Sequence, residues 1–148
     1  VASRGLGDVY KRQGEHLIQE EVDSAVAIAA RNCGVLTVDH HVGPLFPDDP
    51  KSPGKHLYLV EFRDGPPADV NRFALEIDRE LIRLNEDYAA HRKNDLTMYS
   101  PEVRVVPPGG FGEWMKSRGR YGGQNKVPRM DNDGTITKQL AGWLAARG

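Results

Sequence analysis

The chain holds one cysteine, Cys33, so it can form neither an internal disulfide nor a cysteine-based zinc cluster, and a reducing cytoplasm is the expected compartment. It also lacks any apolar run near the about 18 residues that a membrane helix needs. No sign of charge dominates: 20 Lys and Arg face 21 Asp and Glu, and the formal balance of −1 exerts no global pull toward nucleic acid or an anionic membrane. The GxSxG, Walker-type and HExxH signatures are missing as well. The 148 residues leave room for one domain with a modest core.

The periods that are present are mostly short. VASRGLGDVYKRQ, residues 1–13, follows neither a helical nor a strand repeat and looks like translated library-adapter sequence, so the domain is expected to occupy 14–148. GEHLI (Gly14 to Ile18) is expected as a short strand. From about Gln19, Val22, Ala25, Val26, Ala29 and Cys33 mark one apolar helix face, and Gly34 is placed to end it. VLTVDHHV alternates, with Leu36, Val38, His40 and Val42 on the side expected to be buried. The prolines of GPLFPDDPKSPGK then predict an irregular loop, and HLYLVEF a central strand. Val70 to Tyr88 reads as a single long helix with Asp69 as N-cap. Glu102 to Val106 reads as a strand, Phe111 to Met115 as a brief helix ending at Gly119, and Ile136 to Leu144 as a last helix capped by Thr135. Counting GEHLI, the order is βαββαβ followed by two helices. This is an α+β, ferredoxin-like two-layer sandwich with two additional C-terminal helices, an architecture that names no activity by itself.

Three groups of residues invite chemistry. His40 and His41 suggest a metal, but neighbours on a strand point to opposite faces and the remaining histidines are distant, which favours a structural role. Cys33 falls on the buried side of its helix and is expected to be inert core. The stretch from Lys116 to Arg129 collects Lys116, Arg118, Arg120, Lys126 and Arg129 without an acidic residue, around Gly119, Gly122 and Gly123. Lys126 is a compact charge on a flexible stem, suited to a phosphate or carboxylate, and Pro128 stiffens the chain beyond it. An exposed connector with ordinary surface lysines and a nucleic-acid contact stacked on Tyr121 are the competing readings. The strand Leu57 to Phe62 lacks the signature of an RNA-recognition motif, so nucleic acid is the less favoured partner.

FGEWMKSRGRYGGQNKVPRM, preceded by SPEVRVVPPGG and by a helix ending LNEDYAAHR, resembles the C-terminal part of the auxin-responsive Gretchen Hagen family of acyl acid amido synthetases. GEHLIQEEVDSAV is similar to the segment with which that family enters its C-terminal domain, although His16 stands where a lysine is common, and residues 131–148 have no clear counterpart. The resemblance implies an adenylate-forming ligase that uses ATP and Mg2+ to join a small-molecule carboxylic acid to an amine, commonly that of an amino acid. It implies that this chain is the small mobile lid, inactive alone, whose partner is its own N-terminal adenylation domain. By the same resemblance Lys126 would reach phosphate or carboxylate oxygens, and Gln124 would position the loop or touch the nucleotide. Arg129 would either assist that charge or brace the loop through a carboxylate, while Gly122 and Gly123 would supply slack. A free-standing ferredoxin-like module binding an anionic partner such as RNA is the alternative.

Overall fold

The computed structural model describes residues 17–49, 51–93, 98–119 and 126–147. Helix α1, Gln19–Cys33, buries Val22, Ala25, Val26 and Ala29 on the face that their spacing requires. It has no Ser, Thr, Asp or Asn cap; instead Glu21 Oε1 accepts the Ile18 N–H at 3.1 Å. Gly34 ends it at φ 69°, a left-handed conformation that glycine adopts without strain. Of the expected GEHLI strand, Gly14 to His16 lie outside the described residues, while Leu17 forms a bend and Ile18 the N-cap of α1.

The described sheet has three strands in the order β1-β2-β3. β1 (Thr37–Leu45) pairs antiparallel with β2 (Lys55–Phe62), and β3 (Glu102–Val106) lies parallel to β2 with Leu57 opposite Glu102. β1 continues past Val42 through Pro44, contrary to the expectation that the prolines would exclude regular structure there. An edge position accounts for this, because a proline missing its N–H disrupts a ladder least at the edge of a sheet. Leu36 and Val38, expected on the buried side of this strand, are instead exposed, and burial begins at His40.

The helix expected from Val70 to Tyr88 is two helices, α2 (Val70–Leu84) and α3 (Glu86–Arg92), divided at Asn85. Asn85 adopts extended backbone at φ −138° and ψ 113°, and its side chain caps α3 by accepting the Tyr88 N–H at 2.9 Å. That local bond competes with continuing the helix. α3 is then tied back to α2 through Asp78, which accepts from Arg92 Nε and an Arg92 terminal nitrogen at 2.8 Å each and from the Tyr88 hydroxyl at 2.6 Å. Two further helices follow, α4 (Gly110–Ser117) and α5 (Thr135–Arg147).

β2 shows how the layers are arranged. Tyr58, Val60 and Phe62 pack with Val22 and Val26 of α1 and Phe73, Ile77 and Leu81 of α2. Leu57 and Leu59, pointing the other way, pack with Phe111 and Trp114 of α4, with Leu140 of α5 and with Val127. The two additional helices therefore form a third layer, and the central strand is apolar throughout because both of its faces are covered.

Candidate functional site

Residues 126–131 lie along the free edge of β1. Val42 N donates to Arg129 O at 2.8 Å and Asp131 N donates to Val42 O at 3.0 Å, a single parallel bridge between Val42 and Met130. The side chains of the segment alternate in their anchoring. Val127 is buried in the core beneath α4 and α5, and Met130 packs against the opposite core. The Arg129 guanidinium joins Asp39 Oδ1 and Asp23 Oδ2, each at 3.1 Å. These are the carboxylate partners that a bracing arginine requires.

The two neighbouring histidines point to opposite faces and hold different elements. His40 lies toward α1, with Nε2 2.9 Å from Asp23 Oδ1. Burial lowers its pKa against the pull of Asp23, so it is neutral near pH 7 and its hydrogen sits on Nε2, facing the carboxylate. His41 lies toward α5: Nδ1 is 2.7 Å from Pro128 O and Nε2 is 2.8 Å from Thr137 Oγ1. Its pKa is also lowered by burial, partly opposed by the bond to Pro128 and by Asp131. A carbonyl only accepts, so His41 carries a hydrogen on Nδ1; Thr137 Oγ1 stands between Nε2 and Asp131 Oδ2 and has a single hydrogen for the two of them. Among the described residues no three His, Cys, Asp or Glu side chains converge to hold a metal.

α5 is capped from this same corner. Asp131 Oδ2 accepts from Thr137 N at 2.8 Å and Asp133 Oδ1 from Thr135 N at 2.9 Å, so the two aspartates supply the cap expected of Thr135. Gly43 lets β1 approach: a Cβ there would stand 1.7 Å from Thr137 Oγ1. Cys33 is partly buried against the first core, and burial raises its thiol pKa, which fits the expected inert role.

Lys126 stands at the start of the anchored segment and is exposed. It borders an open cleft of about 420 Å³ whose apolar lining includes Val38, Phe111, Met115 and Val127. Two acids share this cleft, but each already has partners. Asp39 binds Arg129, and Glu61 accepts the Gly109 and Phe111 N–H groups at 3.0 and 3.4 Å, capping α4 from the neighbouring sheet. Among the described residues no carboxylate pairs with Lys126. Of the other cations in the basic stretch, Arg118 lies over the Trp114 ring, 4.6 Å from its centroid, and Lys116 is exposed. Arg120, Gly122, Gly123 and Gln124 lie outside the described residues. Asp23, Asp39, Glu61 and Gly43 complete the site without having been marked by any sequence motif, and His41, marked only as half of a histidine pair, joins them.

The sequence pattern of the GH3 family C-terminal domain matches residues 20–135. The chain belongs to the GH3 family. The resemblance drawn from the FGEWM and QNKVPR motifs is therefore shown, and these motifs lie within the matched span. Two solved structures share the fold of this GH3 domain. One, described as GH3.15 acyl acid amido synthetase, matches over 85 % of this chain with 24 % identity and a TM-score of 0.64. The other, AtGH3.15 acyl acid amido synthetase in complex with 2,4-DB, matches over 82 % with 23 % identity and a TM-score of 0.62. The match covers 23 % of the length of each of those chains, so this domain corresponds to a small part of the whole enzyme. Among curated proteins no match is found. No helix among the described residues is long and apolar enough to cross a membrane.

Proposed function

We propose that this GH3 domain is the mobile C-terminal lid of an ATP-dependent acyl acid amido synthetase and that Lys126 is the charge it delivers. ATP supplies the activation: a carboxylate displaces pyrophosphate to form an acyl-adenylate, and an amine, in this reading that of an amino acid, then displaces AMP. The observation that carries the proposal is the state of Lys126, whose exposed ammonium has no carboxylate partner among the described residues while the backbone just beyond it is fixed to β1. An ammonium so placed can meet the charge that builds on phosphoryl and carboxylate oxygens without first breaking an internal ion pair.

Arg129 serves this reading as a brace, since both of its carboxylate partners belong to the domain. Gln124 would face the nucleotide from the preceding loop, with Gly122 and Gly123 giving that loop its freedom. Mg2+ would be held by the adenylation domain together with the phosphates, and the cleft beside Lys126 would close against that domain. The reaction would then take place in the cytoplasm.

The reading is tested on the longer gene product that carries an adenylation domain, by following pyrophosphate release with a panel of carboxylic acids. Lys126→Ala is expected to slow release by about 10² to 10³, the scale found when one preorganised charge-stabilising donor is removed. Release at the unmodified rate would show that the lysine has no part in adenylation. The RNA-binding alternative loses support from the basic stretch itself, because Arg129 is committed to two aspartates and Arg118 to an aromatic ring.

A further inference from the structure

The cation at the rim of the cleft can act in a defined place only if its backbone is held, and among the described residues one side chain of the sheet, that of His41, reaches that backbone. We infer that His41 is a positioning residue for Lys126, acting through the Pro128 carbonyl and coupling the lysine-bearing segment to helix α5. This inference rests on the reading of Lys126 as the charge that meets the substrate's oxygens.

The geometry rests on three contacts. His41 is fully buried, and its Nδ1–H binds Pro128 O at 2.7 Å. Pro128 has a fixed φ and restricts the residue before it to extended backbone, so a held Pro128 defines the path of Val127. Val127 is itself buried, and Lys126 therefore leaves the surface only two residues from the tether, at a span of about 7 Å. On the far side of the ring, Thr137 Oγ1 lies 2.8 Å from Nε2 and 2.9 Å from Asp131 Oδ2, its one hydrogen serving that pair. Asp131 in turn closes the bridge to Val42. The imidazole thus joins β1, the 126–131 segment and α5, and α5 becomes part of what orients the lysine rather than a cover for the sheet alone.

The two ring nitrogens can be separated by substitution. His41→Asn keeps an amide N–H where Nδ1 stood and loses the Thr137 contact; His41→Gln places its amide where Nε2 stood and loses the Pro128 contact. A merely structural histidine would suffer comparably from either change. A nitroxide attached at Lys126→Cys, in a Cys33→Ala background, reports the motion of the segment in this chain without any assay of activity. The spectrum is expected to show a more mobile label with His41→Gln than with His41→Asn. In the longer enzyme, adenylation is expected to fall between about tenfold and 10²-fold in His41→Gln through kcat with KM little changed, and to be largely kept in His41→Asn. Spectra that fail to separate the two variants overturn the inference. Separated spectra combined with unaltered adenylation in Lys126→Ala leave the tether in place and overturn the reading of Lys126 instead. A measurement on the unsubstituted chain covers the case in which a variant does not fold: long-range 1H–15N correlation of the imidazole should place the hydrogen on Nδ1, and a hydrogen on Nε2 alone would exclude the Pro128 bond and with it the inference.

Discussion

At the scale of single residues, the histidines of this domain divide their work by the environment that each face of the sheet supplies. His56 is buried and stacked with Tyr88 at 6.2 Å between ring centroids, and burial lowers its pKa from 6.5 to about 4 against the weaker pull of Asp78. Between these two values the unfolded imidazole holds a proton that the folded one does not. Stability is therefore unaffected by this group above pH 6.5 and is lost progressively as pH falls toward 4, by on the order of 3 kcal/mol in all. His40 and His41, also lowered by burial, act in the same sense. Urea midpoints measured from pH 6.5 down to 5 should fall, and His56→Gln should flatten that slope; an unchanged slope would mean that His56 does not titrate as described. The roles of the individual histidines were only half legible. That His40 and His41 face opposite ways follows from strand alternation, but their partners lie 17 and 87 to 96 residues away, beyond the reach of a local pattern.

At the scale of elements, legibility followed how far local preference agreed with packing. α1 and β2 appear where their apolar residues put them, because α1 turns one apolar face to the core and β2 is covered on both faces, and β3 follows as the short strand between its flanking prolines. The break at Asn85 was hidden by the stripe from Val70 to Leu84, which Tyr88 extends as though one helix ran through. Hydrophobic spacing does not register a side chain that bonds to its own backbone. Asn85 also donates to Glu21 Oε1 at 3.1 Å, so it links the start of α3 to the start of α1. Asn85→Ala is expected to destabilise the domain by about 1 to 2 kcal/mol, the range of a lost helix cap. Calorimetry would register this as a lowered Tm; an unchanged Tm would mean that the break is set by packing around Tyr88 instead. Pro44 in β1 has a related explanation, since a sequence shows a proline but not whether its strand lies at an edge.

For the whole molecule, the third layer is what gives the candidate site its form. α4 and α5 cover the second face of the sheet, bury Val127 and leave the 126–131 segment along the edge of β1 with Lys126 at the open end. The sequence motifs located the family, and Lys126 enters through them as the proposed charge. They could not show that the segment is fixed, because the contacts of Arg129 with Asp39 and Asp23 and of Pro128 with His41 exist only once the three layers have assembled. In the proposed lid reading, a fixed backbone whose ammonium has no carboxylate partner among the described residues suits a domain that carries one charge into a neighbouring site and withdraws it afterwards. The most direct test separates the two half-reactions of the longer enzyme in single-turnover experiments. Lys126→Ala should slow formation of the acyl-adenylate by about 10² or more while leaving aminolysis of preformed acyl-adenylate within about twofold. Equal slowing of both halves, or of neither, would contradict the account.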